Sequence, residues 1–472
     1  MSTAIATLDC GMRGEYYTRS YGHFARRFAH NGLLGTLTEI AVSTPAARGL
    51  VSHGPLFFAL SPMTRTLIAS LPAHAGSPVR IAGFVTTKRV LKSMVFLIVE
   101  DRTGAVQVTV PRADACAALA TEVTPGSALT VTGVPALNPT VKLGGIELNA
   151  TAIDVVGPSA SELPPEHQAD WRFLALRRPE NRFVFEVQTT IERAMREYWA
   201  EHGFLELHSP KLMHSASESG SETFSMPYFD LGRAYLAQSP QFYKQMAMAA
   251  GFDRVFEIGP VFRAEPSMTP RHATEFTSVD IEMAWIDSHE DVMRFEEGLL
   301  RHVTIAANQS HGLAIPVPSL PFPRLTLAAA HERLRSMGHT VAPATRAGDI
   351  DPEGERLLCG DGFLFLTEYP SSLRPFYHMR EGTLTRSFDL LWKGIEITTG
   401  AQREHRHDVL TRQAKEAGLG ESVSYYLDFF KYGCPPHGGF GLGLARLVML
   451  MLDLPSIREA TFLHRSPNRL TP

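Results

Sequence analysis

Cysteine is scarce in this chain. Cys10, Cys116, Cys359 and Cys434 are the four among 472 residues, and no two of them form a Cys-x-x-Cys pair. That argues against a zinc site or a disulfide framework and fits a reducing cytosol. Long apolar runs are missing as well. None reaches the roughly 20 residues that a membrane span requires, and the opening MSTAIATLDCGMRGEYYTRS lacks the apolar core of a signal peptide. The expectation is a cytoplasmic protein with no membrane segment. Nor is positive charge in excess: 45 Lys and Arg stand against 49 Asp and Glu, a net charge of −4. A bulk field attracting nucleic acid is excluded, so any RNA contact has to use local basic patches. What remains, 44% hydrophobic and 20% charged residues, is the composition of an ordinary globular chain of about two to four domains.

The most informative stretch is RVFEIGPVFRAEPSMTPRHATEFTSVDIEMAWID, Arg254 to Asp287. Taken with period two, Phe256, Ile258, Pro260 and Phe262 share one face of a first strand. Val279, Ile281, Met283 and Trp285 form the apolar face of a second, with Phe276, Ser278, Asp280 and Glu282 opposite. The pattern predicts two half-buried strands joined by a loop, Glu265 to His272, too long for a tight hairpin. Arg263 closes the first strand, Arg271 and His272 close the loop, and Phe276 opens the return strand. Fixed guanidinium groups beside an exposed ring suit a nucleoside triphosphate, with cations for phosphate oxygens and a flat surface for the base. A solvated hairpin tip accounts for the same charges if the stretch is taken alone.

The ordered set FRAE followed by RHxxEF resembles motif 2 of the class II aminoacyl-tRNA synthetases. The resemblance implies that Arg263 holds the α-phosphate of ATP and Phe276 stacks on adenine. Glu265, Arg271 and His272 fall on nucleotide-contacting positions.

Either side of this stretch the chain changes character several times. Residues 1–62 have weak periodicity, and Arg26 and Arg27 among aromatic residues suit either a basic-aromatic arm or a poorly ordered extension; no function is assigned to them. From Val79 to Val156, VRIAGFV, MVFLIVEDRTG, AVQVTV, SALTVTGV and IELNATAIDVV supply five strand candidates within about 80 residues, the rhythm of a small barrel. This part, assigned to residues 63–156, resembles the anticodon-binding OB-fold of the aspartyl, asparaginyl and lysyl enzymes. By that resemblance Phe96 stacks on an anticodon base, Arg89 contacts the same region, and Lys142 matches a lysine of the discriminating archaeal aspartyl type. The family's usual Arg is Glu100 here, its glycine pair is Lys92-Ser93, and Thr86 replaces a tryptophan.

PSASELPPEH marks a hinge, set at 157–170 and shorter than the family's. A large domain, 171–472, follows. Ile191, Met195 and Trp199 predict a helix over Thr189 to His202, and GFLELHSPKL an edge strand. Together they resemble motif 1, whose proline, here Pro210, belongs to a homodimer interface. SASESGSETFSM is a small-residue loop able to fold over a substrate, and Glu218 in it matches the carboxylate that accepts the substrate ammonium. In AQSPQFYKQM, a lysine among Phe242, Tyr243 and Met246 invites a carboxylate partner. QSPQxxKQ resembles the aspartate pocket, with Gln238, Ser239 and Gln241 polar and Lys244 on the substrate side-chain carboxylate. RPFY is likewise the aspartyl form of its element.

RSFDLLWKGIEITTGAQREHRHD carries Asp389 and Glu396, whose spacing of seven alone does not establish a metal site. The resemblance implies that Glu396 and Thr399 ligate Mg²⁺ with support from Asp389, an oxygen donor set suited to that ion, and that Arg403 clamps the substrate side chain. His405, His407 and Asp408 fit a polar loop better than a transition-metal site. PPHGGFGLGLARLVML predicts a glycine-rich turn running into an apolar helix, without the spacing of a dinucleotide fingerprint. Arg446, a lone cation near that helix N-terminus, opposes the helix dipole unless an anion lies there. It resembles the motif 3 arginine that binds the γ-phosphate, with Ala445 where the family often has Glu.

The resemblance spans about residues 65–472 and is most like the archaeal and eukaryal aspartyl-tRNA synthetases. It implies an α+β fold, an OB barrel followed by an antiparallel sheet flanked by helices, working as a homodimer. The implied reaction activates L-aspartate with ATP and Mg²⁺ and passes it to aspartate tRNA, or to asparagine tRNA as well. Catalysis would rest on Arg263, Arg446 and Glu396. The departures from the family lie mostly at tRNA-facing or supporting positions. They leave open a second expectation, a paralogue handing activated aspartate to ammonia or another amine.

Overall fold

Alternating burial between Val79 and Gly157 produces the expected five strands: β1 (Val79–Val90), β2 (Met94–Asp101), β3 (Gly104–Pro111), β4 (Ala128–Leu137) and β5 (Ile146–Gly157). They close in the order β1-β2-β3-β5-β4, which leaves no free edge. Val95, Leu97 and Val99 of β2 and Val106, Val108 and Val110 of β3 fill the interior. The structure is a computed structural model that describes residues 64–160, 169–215, 223–342 and 345–471. Residues 1–62, most of the expected hinge and the loop residue Glu218 lie outside the described residues.

The larger part is built on eight strands: β6 (Leu205–Glu206), β10 (Arg254–Phe262), β11 (Glu275–Ala284), β12 (Arg324–Thr326), β13 (Phe363–Thr367), β16 (Ser387–Trp392), β17 (Ile395–Gln402) and β18 (His437–Gly443). Their order is β12-β13-β16-β17-β18-β11-β10-β6, antiparallel except at the two ends. Among the described residues two small sheets complete the count: β7 (Leu212–Met213), β8 (Ser225–Pro227) and β9 (Arg233–Leu236) in one, β14 (Arg380–Glu381) and β15 (Leu384–Thr385) in the other. Among the described residues no helix is long and apolar enough to cross a membrane.

One face of the large sheet is apolar and covered. The 23-residue helices Pro179–Glu201 and His289–His311 pack over it, placing Val187, Ile191, Met195 and Trp199 against Phe256, Ile281, Phe388 and Phe440. The first helix begins ten residues before the expected Thr189, because Pro179 sits in its first turn, where a missing N–H costs nothing. The second is closed at its start by a reciprocal Ser288–Asp291 capping box and at its end by Gly312 with positive φ.

The opposite face is polar, and its register places the site. Asp280 of β11 pairs with Gly441 of β18, Gly441 with Thr399 of β17, and Thr399 with Asp389 of β16. Directly opposed residues share a face, so three polar side chains line up across four strands. Asp280 and Glu282 are themselves buried, which corrects the expectation of a half-buried β11 with a solvated face. Trp285 is a second correction: the chain leaves the strand there with φ of 60°, and the indole is 71% exposed, donating to Asp253.

GGFGLG is a third. It forms strand β18, not a turn. A Cβ at Gly439 would lie 2.0 Å from the Ile281 carbonyl and 2.4 Å from Glu282 Oε2, and one at Gly441 would lie 3.2 Å from Asp280 Oδ1. The glycines make room for the neighbouring carboxylates.

Candidate active site

A cleft of about 600 Å³ opens over the polar face between β11, β17 and β18 and the loop joining β10 to β11. Six arginines line it, Arg263, Arg271, Arg346, Arg374, Arg403 and Arg446, against the carboxylates of Glu265, Asp280 and Glu396. Such a lining suits a polyanion with a cation beside it.

At one end the β10–β11 loop folds back on the helix Leu444–Met451, which follows β18. Arg263 follows β10, its backbone N–H bonded to Thr274, and its guanidinium stands 5.4 Å from the Phe276 ring centroid. A base stacked on that ring would lie beside the Arg263 guanidinium. Arg446, three residues into the helix Leu444–Met451, donates from Nη1 to the Glu396 carbonyl at 2.9 Å and from Nε to the Arg271 carbonyl at 3.3 Å. Arg271 in turn pairs with Glu355 at 2.8 Å. Burial, with Arg446, Arg271 and Arg263 nearby, pushes the His272 imidazole down to about 4, so it is neutral at ordinary pH. Its Nδ1 meets the hydroxyls of Thr269 and Ser267.

Glu396 and Thr399 meet because of a bulge. Positions 396 and 399 would face opposite sides of a regular strand. The β16–β17 register slips between Leu390 and Leu391, and this brings Glu396 and Thr399 to one side, the Thr399 hydroxyl donating to Glu396 at 3.0 Å. Asp389, the cross-strand partner of Thr399 on β16, accepts from Arg374 at 2.6 Å. Burial and then the Asp389 charge push the Glu396 carboxyl up. Burial, with Glu396 adding to it, likewise pushes Glu355 up to about 7 against the pull of Arg271. Carboxylates that repel one another in an oxygen-only set are what a divalent cation relieves, so Glu396, Thr399 and Asp389 fit Mg²⁺.

At the other end Arg403 is only 3% exposed. It grips Glu282 through Nε at 3.0 Å and Nη2 at 3.4 Å, with the Gly439 carbonyl at 2.9 Å. Lys244 is set deeper than the sequence suggests. Its ammonium bonds to Asp280 Oδ1 at 3.0 Å and to the Ile281 and Phe440 carbonyls, with Glu282 at 3.4 Å, so the carboxylate partners it invites come first from the protein. Burial pushes the Glu282 carboxyl up, but Arg403 and Lys244, with His437, outweigh it and hold it below its ordinary value.

The cleft thus brings together Arg263, Glu265, Arg271, His272, Phe276, Ser239, Gln241, Glu396, Thr399, Arg403 and Arg446. Gln238, Lys244 and Asp389 stand behind its wall as buried residues. Sequence reasoning had passed over Asp280, Glu282, Arg374, His378 and Glu355. The signal for the first two was present, as paired carboxylates on alternate positions of a strand whose other face is core. On the barrel, Arg89 and Phe96 are direct cross-strand partners on β1 and β2, and Lys142 is exposed in the β4–β5 connection. Glu100 shares the outward face of β2 with Phe96, four residues along, which is about 13 Å.

An OB barrel joined to a sheet of this order, with arginines, a stacking ring and acidic residues around one cleft, defines a class II aminoacyl-tRNA synthetase. The family model of class II tRNA synthetases (D, K and N) matches residues 164–466, and that of the OB-fold nucleic acid binding domain matches 79–156. The chain belongs to this D, K and N family. It is 41% identical over 428 residues to the aspartate–tRNA(Asp) ligase of Thermococcus kodakarensis, covering 84% of this chain and 97% of that one. It is 42% identical over 426 residues to the aspartate–tRNA(Asp/Asn) ligase of Methanopyrus kandleri, covering 85% and 97%. Among solved structures it resembles the asparaginyl-tRNA synthetase of Pyrococcus horikoshii bound to asparaginyl-adenylate, with a TM-score of 0.79, 30% identity, and coverage of 86% of this chain and 99% of that one.

Proposed function

We propose that the chain is an aspartate–tRNA ligase, which activates L-aspartate with ATP and passes the aspartyl group to tRNA. The observation that supports it best is the cleft's division into two ends. Phosphate-binding arginines and the Phe276 ring stand at one, and the Arg403–Glu282–Lys244 cluster at the other. Phe276 takes the base, Arg263 the α-phosphate and Arg446 the γ-phosphate, with Glu265, Arg271 and His272 along the nucleotide. Mg²⁺, held by Glu396 and Thr399 with Asp389 behind, supplies charge neutralisation at the phosphates when bound. Arg403 meets the side-chain carboxylate of aspartate, and Lys244 supplies the second positive charge of that wall. Gln238, Ser239 and Gln241 shape the pocket, and Glu218 accepts the ammonium.

No side chain need act as a nucleophile. The aspartate carboxylate attacks the α-phosphorus, the bond to the β-phosphate oxygen breaks and pyrophosphate leaves, and the residues hold the reactants in line while neutralising charge. The tRNA contacts Arg89, Phe96 and Lys142 on the barrel, and the enzyme acts in the cytoplasm. The domain limits proposed are 63–156 for the barrel, 157–170 for the hinge and 171–472 for the catalytic part. A homodimer would use the edge strand β6 and the segment after it, where Leu205 of β6, Pro210 and Leu212 of β7 are exposed. The test is aspartate-dependent ATP–pyrophosphate exchange followed by charging of aspartate and asparagine tRNA transcripts. Exchange without charging of either tRNA, but with amide formation from ammonia, would refute the ligase reading.

A further inference from the structure

The guanidinium of Arg403 has five N–H donors and no acceptor. Glu282 and the Gly439 carbonyl take three of the donors. A fourth bond joins Nη1 to His378 Nε2 at 3.0 Å. Since a guanidinium can only donate, the imidazole nitrogen is the acceptor and carries no proton. Burial, with Arg403, Arg374 and Lys244 close by, holds the ring well below the ordinary imidazole value, so it is neutral. A neutral ring that accepts at Nε2 bears its proton at Nδ1. His378 is 2% exposed, and its Nδ1 has no hydrogen-bond partner among the described residues. The residue nevertheless lines the cleft beside Arg403, Arg374 and Tyr377. A buried N–H without an acceptor is costly, and such a donor is expected where a ligand supplies the missing group.

We propose that His378 is a further substrate-binding residue, its Nδ1–H donating to the side-chain carboxylate of the amino acid beside the remaining Nη1–H of Arg403. The inference rests on the reading that Arg403 meets that carboxylate. Glu282 fixes the guanidinium, the guanidinium fixes the imidazole tautomer, and the tautomer presents a donor. Both groups facing the ligand are then donors. A carboxylate oxygen satisfies them, whereas the NH₂ of an asparagine amide would meet donor with donor, so the pair also selects against the neutral analogue.

The two ring nitrogens can be replaced separately. Gln places its amide near Nε2, keeping an acceptor for Arg403 and losing the cleft donor. Asn places its amide nitrogen near Nδ1, keeping the donor and losing the contact to Arg403. In ATP–pyrophosphate exchange, His378→Gln should raise the KM for aspartate about ten- to a hundredfold with little change in the KM for ATP. The rise in His378→Asn should be the smaller. The reverse order, or a silent His378→Gln, would overturn the proposal and leave His378 as a support for Arg403. Arg403→Lys separates the two levels. If it leaves the KM for aspartate unmoved, the reading of Arg403 itself fails; if it raises that KM while His378→Gln is silent, the inference alone fails.

Discussion

Glu282→Gln tests the charge balance of the amino-acid end. Glu282 is fully buried and bonds to Arg403 through both oxygens, with Lys244 at 3.4 Å. The amide has the same shape and no charge. Lys244 keeps Asp280 at 3.0 Å, whereas Arg403 loses its carboxylate partner. Stranding one partner of a buried pair costs about 3–5 kcal/mol, and the surviving Lys244–Asp280 contact places this change near the lower figure. A loss of about 3 kcal/mol lowers Tm by roughly 6–12 °C in a domain of about 200 residues, and by less in a larger unit. The uncompensated Arg403 then gains more from a carboxylate ligand than it does in the wild type. Saturating aspartate should raise the Tm of Glu282→Gln more than that of the wild type, and asparagine should not, because only the state that binds is stabilised. Differential scanning fluorimetry with each amino acid measures both effects. The acid limb adds a check. A carboxyl held below its ordinary 4.5 contributes stability that is complete above that value and is lost as pH falls through the native one. The variant's stability curve should therefore be flatter below about pH 4.5. An unchanged Tm, or an aspartate-induced rise no larger than the wild type's, would refute the reasoning.

Four further outcomes are expected. Replacing Arg263 or Arg446 by Gln should cut ATP–pyrophosphate exchange by about a hundredfold or more while the protein stays folded; near wild-type exchange in either variant would remove that arginine from the phosphate site. Glu355, pushed up to about 7, binds its proton more tightly in the native state, so stability should fall as pH rises from 4.5 to 7 in the absence of Mg²⁺. Glu355→Gln should flatten that slope in urea titrations, and an unaltered slope would count against the buried acidic cluster. Glu100→Arg should tighten tRNA binding and steepen its salt dependence by roughly one phosphate equivalent, leaving exchange untouched. In the wild type, recognition should be relaxed, with aspartate and asparagine transcripts charged alike; a strong preference for the first would refute this.

The barrel and the hairpin were legible because both are written in local alternation. The interior residues Val95, Leu97 and Val99 of β2 and Val106, Val108 and Val110 of β3 each sit two positions from the next, and Arg263 and Phe276 flank the loop that brings them together. Features that depend on pairing across strands were not. Glu396 and Thr399 share a face only because of a one-residue slip against β16, and no periodicity in either strand reports it. GGFGLG looks like a turn until Asp280 and Glu282 lean over it, since glycine carries no alternation of its own. Lys244 could be recognised as a cation needing a carboxylate, but the nearest one, Asp280, lies 36 positions away and meets it only in the folded chain. His378 gave no local signal; its tautomer is dictated by a guanidinium 25 residues later.

The row from Asp280 through Gly441 and Thr399 to Asp389 works as a ruler. Its ends are three strand spacings apart, about 14 Å, a distance graduated by backbone hydrogen bonds that side-chain rotation cannot stretch. The amino-acid cluster and the acidic pair are thus mounted at fixed marks on one rigid bar. A substitution that reshapes the pocket around Arg403 leaves the position of Glu396 and Thr399 untouched, and the converse also holds. A chain built this way can exchange one amino acid for another at one end without recalibrating the chemistry at the other.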